Sequence, residues 1–329
     1  MATHANRHSS TPLTAEDTMT ENTVYGSVAI IGRPNAGKST LLNRILGQKV
    51  AITSDKPQTT RNRIAGIYTA DDMQAVLVDT PGIHLAKSRI NRAMVNIAVN
   101  SLEEVDAVCL VVDAHKARER WPKDGVGVSP ALEHMAAILD NVNGKPVCIA
   151  LNKIDKLPKE ALLPLMAGLH SRLPAAEIIP VSALKGKGTN TLIGFWRAHL
   201  PEGPPMWPTD QIMDASERFL VAELIREKVF RNTHQEVPYS TAVEIEQFTE
   251  EERDDGVPFV EIFARILVER KQQKGIIIGK QGSMLKRIGT GARLEISRLL
   301  GAKVRLNLHV SVAEKWTEKQ RFLNTFGIE

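Results

Sequence analysis

Five short apolar runs, at residues 28–31, 75–78, 108–112, 147–151 and 178–181, punctuate the N-terminal part of the chain. They are apolar throughout rather than alternating, so strands made from them must be covered on both faces. The stretches between, near 39–46, 90–102, 131–139, 159–173 and 189–200, space their apolar residues as helices do. Such alternation predicts a mostly parallel sheet with helices on both faces. An antiparallel strand at 64–68, turning through Asp71-Asp72, is expected at its edge.

The alternation stops at Pro201. The stretch Pro201-Glu202-Gly203-Pro204-Pro205-Met206-Trp207-Pro208 cannot form a helix and reads as a semi-rigid connector. Beyond it the order changes. A helix is expected over 216–230, then strands carrying Val243 and Ile245, and Val260, Ile262, Ala264, Ile266 and Val268, on one face. A helical region over 275–300 and a strand with Val304, Leu306, Leu308 and Val310 complete a compact α+β unit. The chain of 329 residues is thus read as a polar flexible tail (1–22), an α/β domain (23–200), a connector (201–209) and an α+β domain (210–329).

With 43% apolar and 24% charged residues, neither a fibrous nor a wholly disordered chain fits. The two cysteines, Cys109 and Cys148, sit in apolar runs and lack metal-ligand spacing, so buried small hydrophobes are expected. No apolar stretch reaches the ~18 residues of a membrane span. The N-terminus lacks the apolar segment of a signal peptide, and Glu16, Asp17 and Glu21 argue against a transit peptide. A soluble cytosolic protein is the expectation.

Between the first apolar run and the first helical stretch stands Gly32-Arg33-Pro34-Asn35-Ala36-Gly37-Lys38-Ser39, which matches G-x-x-x-x-G-K-[ST]. Glycines let the backbone close around phosphate, and successive N–H groups with the helix N-terminus bind its charge. The loop from Gly32 through Asn35, Ala36 and Gly37 to Thr40 is the expected phosphate cradle, with Lys38 reaching the β- and γ-phosphates and Ser39 holding Mg²⁺. Three further segments follow strand ends, where an open α/β sheet places its ligand. In Asp79-Thr80-Pro81-Gly82, Asp79 suits the Mg²⁺ shell and the Gly82 N–H a γ-phosphate. In Asn152-Lys153-Ile154-Asp155, the Asp155 carboxylate can accept from guanine N1–H and the 2-amino group together. Adenine has neither donor and would leave it unpaired, at a cost of about 3 kcal/mol. In Ser182-Ala183-Leu184, the Ala183 N–H is expected to reach guanine O6.

These four elements in order resemble a translation-factor-class GTPase. The run Gly47-Gln48-Lys49-Val50-Ala51-Ile52-Thr53-Ser54-Asp55-Lys56-Pro57-Gln58-Thr59-Thr60-Arg61 resembles the first switch of the Era family of bacterial GTPases. The resemblance implies that Thr60, with Thr59 as the alternative, closes on Mg²⁺ when GTP is bound. Lys38, Thr60 and Gly82 are then the candidate catalytic groups. Where Ras-like enzymes place a water-orienting Gln the chain has Ile83, so intrinsic hydrolysis should be slow. Asn35 resembles the residue that helps hold K⁺ in potassium-stimulated GTPases, where K⁺ can neutralise charge developing between the β- and γ-phosphates.

Residues Ile276-Ile277-Ile278-Gly279-Lys280-Gln281-Gly282 place G-x-x-G between apolar and helical segments, and the element order around it resembles a type II KH domain. The formal charge of +4 conceals sharp sorting. From Arg270 to Arg305 ten basic residues face only Glu295, whereas 244–261 is strongly acidic. Ile277, Ile278, Gly279, Lys280, Gln281, Gly282, Lys286 and Arg287 are the candidate RNA contacts, apolar groups for bases and charges for phosphates. The C-terminal residues Trp316, Phe322, Leu323 and Phe326 are expected to form a helix docked on this domain. The fold expected is therefore an α/β P-loop GTPase domain followed by an α+β type II KH domain.

The Era resemblance runs from about Tyr25 to Ile328 and implies GTP/GDP, Mg²⁺ and K⁺ as ligands. It implies binding to the 3′ end of 16S ribosomal RNA and assistance in assembling the small (30S) ribosomal subunit. A mostly monomeric cytoplasmic protein, with a peripheral fraction on the inner face of the cell membrane, is the corresponding expectation. GTP would shift the presentation of the KH domain across the 201–208 connector. An ATP-driven RNA enzyme is opposed by Asp155, and a vestigial nucleotide site by the intact Lys38 and Ser39.

Overall fold

The computed structural model describes residues 23–54, 56, 59–83, 88–119, 129–140, 142, 144–252 and 256–328. The tail expected over 1–22 lies outside them, as do Asp55, Pro57 and Gln58 of the first-switch run and Arg253, Asp254 and Asp255 of the acidic stretch. The apolar runs become strands. β1 (Val24–Gly32) leads into α1 (Lys38–Leu46), and β2 (Ile64–Ala70) pairs antiparallel with β3 (Met73–Asp79). Ala70 lies opposite Met73, so the turn is the two residues Asp71-Asp72, as expected. Next come α2 (Arg89–Asn100), β4 (Ala107–Asp113), α3 (Ala114–Glu119), α4 (Pro130–Leu139), β5 (Val147–Asn152), α5 (Leu162–Arg172), β6 (Glu177–Pro180) and α6 (Thr189–His199).

The six strands are ordered β2-β3-β1-β4-β5-β6, with β2 antiparallel and the rest parallel. The two-residue period of a strand sorts side chains between the faces. Val28 and Ile30 meet Leu41 and Leu42 of α1 and Trp196 of α6, while Ala29 and Ile31 meet Ala98, Met135 and Leu165 across the sheet. Cys109 and Cys148 oppose one another in β4 and β5 and are fully buried on the α1/α6 side. The parallel strands end together, bringing Gly32, Asp79, Asp113 and Asn152 to one edge.

Residues 201–209, read as a connector, are strapped to this domain. The Pro201 carbonyl accepts from the Tyr25 N–H at 3.0 Å, and the Gly203 N–H donates to the Thr23 carbonyl at 3.0 Å. Gln74, 1% exposed, accepts from the Met206 and Trp207 N–H groups and donates to the Trp207 carbonyl. The strap continues to Met213 and Asp214, which cover the free edge of β2 at Gly66 and Ala65. An edge so covered cannot recruit a foreign strand.

The C-terminal unit comprises α7 (Glu217–Asn232), β7 (Ala242–Glu252), β8 (Pro258–Val268), α8 (Lys271–Ile278), α9 (Ser283–Leu300), β9 (Lys303–Val312) and α10 (Gln320–Thr325). Its sheet runs β7-β8-β9, antiparallel then parallel. Val260, Ile262, Ala264, Ile266 and Val268 all face the core, packed on Val221, Ile225 and Val229 of α7 and Ile288, Ala292 and Ile296 of α9. Part of the acidic stretch is paired: Arg265 bridges Glu244 and Glu246, and Arg305 reaches Glu261. Among the described residues no helix is long and apolar enough to cross a membrane.

The C-terminal segment departs from expectation. It does not dock on its own domain alone but wedges between domains, with Trp316, Leu323 and Ile328 packed on Ile90 and Met94 of α2 as well as on Ala242 and Leu267. The apolar content was legible, but the second surface was not, because α2 is more than 200 residues away in sequence.

Replacing Gln74 by Ala should strip the strap of its buried partner. Leaving the Met206 and Trp207 N–H groups unpaired is expected to cost about 2 kcal/mol, read as a lower urea midpoint; an unchanged midpoint would show the strap to be decorative.

Candidate nucleotide site and nucleic-acid interface

The loop between β1 and α1 closes on itself around Lys38. Its ammonium lies 3.2 Å from the Gly32 carbonyl and 3.4 Å from that of Arg33, and the residue is only 6% exposed. Gly37 has φ 103°, and a Cβ there would stand 2.3 Å from the Asn152 amide nitrogen, so no side chain is tolerated. Asn35, at φ 64°, uses its carbonyl to accept from Lys153 Nζ at 2.6 Å.

Three expected metal ligands converge. Ser39 Oγ lies 2.6 Å from Asp79 Oδ2 and 2.9 Å from Thr60 Oγ1, and Thr60 Oγ1 lies 3.4 Å from Asp79 Oδ2. Asp79 is wholly buried, and its Oδ1 has no hydrogen-bond partner. Burial pushes the Asp79 carboxyl above its ordinary range and the Lys38 ammonium below its own, and the attraction between them opposes both shifts. A cation beside Asp79 and an anion beside Lys38 would relieve both. Two hydroxyls and one carboxylate are hard oxygen donors, a set suited to Mg²⁺ that keeps phosphate oxygens as further ligands.

The segment bearing Gly82 is tied to the phosphate loop through the Ile83 N–H, which donates to the Gly32 carbonyl at 3.1 Å, and Gly82 lines the same cleft as Lys38, Ser39, Thr40 and Thr60. Ile83 is 1% exposed and turned into the core beside Ala29 and Ile31, so it cannot orient water. Asn152 staples the base loops. Its amide donates to the Ala36 carbonyl at 2.9 Å, and its oxygen accepts from the Lys153 and Ala183 N–H groups. The Ala183 N–H expected to read guanine O6 is therefore spent on Asn152. The Asp155 carboxylate is oriented by the Ser182 hydroxyl, Arg44 holds the Ala183 and Leu184 carbonyls, and the Leu184 side chain stays 64% exposed. Asp113 was missed although it ends an apolar run. It pairs with Lys153 at 2.7 Å and fixes that side chain across the phosphate loop.

In the C-terminal unit, α8 ends at Gly279 with φ 73°, a short 3-10 turn covers Lys280–Gly282, and α9 starts at once. A Cβ on Gly279 would stand 2.8 Å from the Met284 nitrogen, so the backbone must stay bare here. Lys280, Gln281, Lys286 and Arg287 are exposed around the turn, and Ile278 packs on the core edge. Ile277 is a correction. It is fully buried in the core and cannot touch a base, whereas Ile276 is 47% exposed beside it. Helical phase decides this: Ile277 falls on the side of Gln273, four residues earlier and 2% exposed. Glu295, the acid within the basic stretch, turns to Lys49 and Lys228, which leaves the opposite side of α9 basic.

A family model described as 50S ribosome-binding GTPase matches residues 27–153, and one described as KH domain matches 236–317. GTPase Era of Geotalea uraniireducens is 52% identical over 304 residues, 92% of this chain and 97% of that one. The chain belongs to the Era GTPase family. GTPase Era of Geotalea daltonii is 50% identical over 312 residues, 94% of this chain and 100% of that one. Among solved structures, an Era variant of Aquifex aeolicus bound to GDP·AlF4⁻ superimposes with a TM-score of 0.84 at 39% identity, covering 93% of this chain and 99% of that chain. Era in complex with MgGDPNP and nucleotides 1506–1542 of 16S ribosomal RNA gives 0.86 at 39% identity, with the same coverage.

This Era GTPase therefore hydrolyses GTP and carries a KH domain behind its nucleotide domain. The two meet at residues 56–61, within the run expected to form the first switch. Arg61, 5% exposed, donates to the carbonyls of Thr241 at 2.7 Å, Tyr239 at 2.8 Å and Pro238 at 3.1 Å, with Phe230 and Trp316 stacked on it. Burial and the nearby Arg226 guanidinium pull its pKa down to about 9, still well above neutrality, so it carries its charge. Lys56 caps the last carbonyls of α7, and Arg226 donates to the Thr59 carbonyl. Only the identity of these residues was visible in the sequence, since the carbonyls that receive Lys56 and Arg61 come from 230–241 and Arg226 lies 167 residues beyond the Thr59 carbonyl it holds.

Ile277→Ala should cost about 2–5 kcal/mol of stability by opening a core cavity, and Ile276→Ala within about 0.5 kcal/mol. Urea unfolding of the two variants checks the assignment, and equal losses would contradict it.

Proposed function

We propose that this Era GTPase is a nucleotide-driven switch that binds the 3′ end of 16S ribosomal RNA through its KH domain and assists assembly of the small ribosomal subunit. One observation carries the reading. The Era complex with MgGDPNP and 16S ribosomal RNA matches 93% of the chain, through both domains, whereas the 50S description covers 27–153 alone. The exposed basic residues around Gly279 and Gly282 support it, because phosphate contacts of this kind position a single strand beside an apolar groove. The division into a nucleotide domain (23–200), strap (201–209) and KH domain (210–329) belongs to the same proposal.

In this reading the phosphates of GTP lie on the N–H groups of Asn35 to Thr40, with Lys38 beside the β- and γ-phosphates. Mg²⁺, when bound, would be held by Ser39 and Thr60 with Asp79 and would neutralise phosphate charge. Asp155, aimed by Ser182, selects guanine. Asn152 keeps the base loops registered to the phosphate loop, and its bond to the Ala183 N–H must be shared when guanine O6 arrives. Asn35 would supply a ligand for K⁺, whose charge would offset that developing on the phosphates. Nothing at Ile83 activates water, so turnover depends on charge neutralisation and on positioning of the switches.

GTP would draw Thr60 and Gly82 towards the γ-phosphate and favour the KH arrangement that takes RNA, and hydrolysis would release it. The test is the affinity of the full chain for a 16S 3′-end oligonucleotide. Tighter binding with a non-hydrolysable GTP analogue than with GDP is expected, falling steeply with salt. Equal affinities would sink the switch. For the base site, Asp155→Asn should weaken GTP by about a hundredfold and favour xanthosine triphosphate, whose 2-oxo group accepts from the new amide. Retained guanine preference in a competition assay would remove Asp155 from that role. Exchanging K⁺ for Na⁺ should slow turnover if Asn35 acts as read.

A further inference from the structure

Two neighbouring residues of the first switch face opposite domains. The Thr60 hydroxyl meets Ser39 and Asp79 at 2.9 and 3.4 Å. The next side chain, Arg61, leaves the nucleotide domain entirely and ends in a socket built by the KH domain and the C-terminal segment. Its floor is the row of carbonyls at Pro238, Tyr239 and Thr241, and its walls are Phe230 and Trp316. Trp316 is itself fixed, donating from Nε1 to the Ser240 carbonyl at 2.8 Å. On the other flank, Arg226 of α7, oriented by Glu223 and itself 3% exposed, donates to the Thr59 carbonyl. Thr60 is thus flanked by two anchors on the KH domain, the Thr59 carbonyl and the Arg61 side chain.

The strap cannot perform this service. Apart from the bond of the Gln211 N–H to the Pro208 carbonyl, its backbone bonds from Pro201 to Asp214 are made to the nucleotide domain, so it moves with that domain. The contact between domains at 59–61 adjoins a candidate catalytic group, Thr60, on both sides.

We infer that Arg61 is a positioning residue for GTP hydrolysis: its socket in the KH domain sets where Thr60 sits, so that the KH domain completes the nucleotide site. The inference rests on the reading of Thr60 as the group that closes on the nucleotide. A guanidinium is the side chain that suits the task. Its planar fork engages several carbonyls at once while its faces stack on rings, whereas an ammonium would be a movable point charge. Because coupling is reciprocal, a KH domain that helps place Thr60 is itself placed by the nucleotide. Whatever shifts residues 238–241 or Trp316, including RNA bound to the KH domain, shifts Thr60.

The experiment uses the full-length chain and compares Thr60→Ala, Arg61→Ala and Arg61→Lys with the parent. Affinities for fluorescent GDP and for a fluorescent non-hydrolysable GTP analogue are measured with kcat and the melting temperature. Arg61→Ala is expected to lose about tenfold or more in analogue affinity and in kcat, with GDP affinity within about twofold of the parent. Arg61→Lys should fall between the two. A merely structural role would weaken both nucleotides alike. If Thr60→Ala abolishes the preference for the analogue and Arg61→Ala preserves it, the positioning role is overturned while the reading of Thr60 stands. If Thr60→Ala leaves the preference intact, that reading falls and takes the inference with it. Should Arg61→Ala fail to fold, Arg226→Lys, too short to hold Glu223 and the Thr59 carbonyl together, must show the same selective loss of analogue affinity. An unchanged preference there overturns the proposal.

Discussion

A guanidinium buried between two domains is the constraint on which the arrangement depends. A charge removed from water is tolerated only where its hydrogen bonds are satisfied, and Arg61 finds three carbonyls and two aromatic faces. Those partners exist only when the KH domain and the C-terminal segment sit against the first switch. Around this seat the interface is ionic. Glu227, fully buried, receives Lys49 from the nucleotide domain and Arg231 from its own helix, and Lys49 also reaches Glu295 of α9. Removing one partner from such a set strands a buried charge, which makes the docked geometry specific.

The nucleotide site obeys the same physics in smaller space. Lys38 and Asp79 are both buried and both pushed away from their charged forms, which is the condition of a site built for an ionic ligand. The segment bearing Gly82 contributes at a distance as well. Ile83 anchors its end in the core, and α2, the next helix, bears on Trp316 and Leu323 through Ile90 and Met94. Both segments that would sense a γ-phosphate therefore end against the C-terminal region.

Much of this was readable in the chain because local rules were obeyed. Continuous apolar runs marked the buried parallel strands, the two Asp residues at 71 and 72 marked the hairpin, and the alternation from Val260 to Val268 marked a one-sided strand. Ser39, Thr60 and Asp79, from three separate motifs, stand within 3.4 Å of one another. What escaped was set by phase or by distance. Three successive isoleucines do not reveal which one a helix turns inward, and Ile277 rather than Ile276 went into the core. The Ala183 N–H was already claimed by Asn152, a side chain 31 residues earlier. The prolines of 201–208 signalled an interruption correctly but not that Gln74 would bind it down. Arg61 stood in plain sight, yet its partners lie about 170 or more residues away, where no periodicity points.

Hydrogen–deuterium exchange of the full chain, without RNA, as GDP is replaced by a non-hydrolysable GTP analogue tests most directly whether the nucleotide is read through this seat. Protection should rise at 59–83 and, in step with it, at 226–241 and 316–328, the backbone that encloses Arg61. A change confined to the nucleotide loops, with 226–241 and 316–328 exchanging as in GDP, would contradict it.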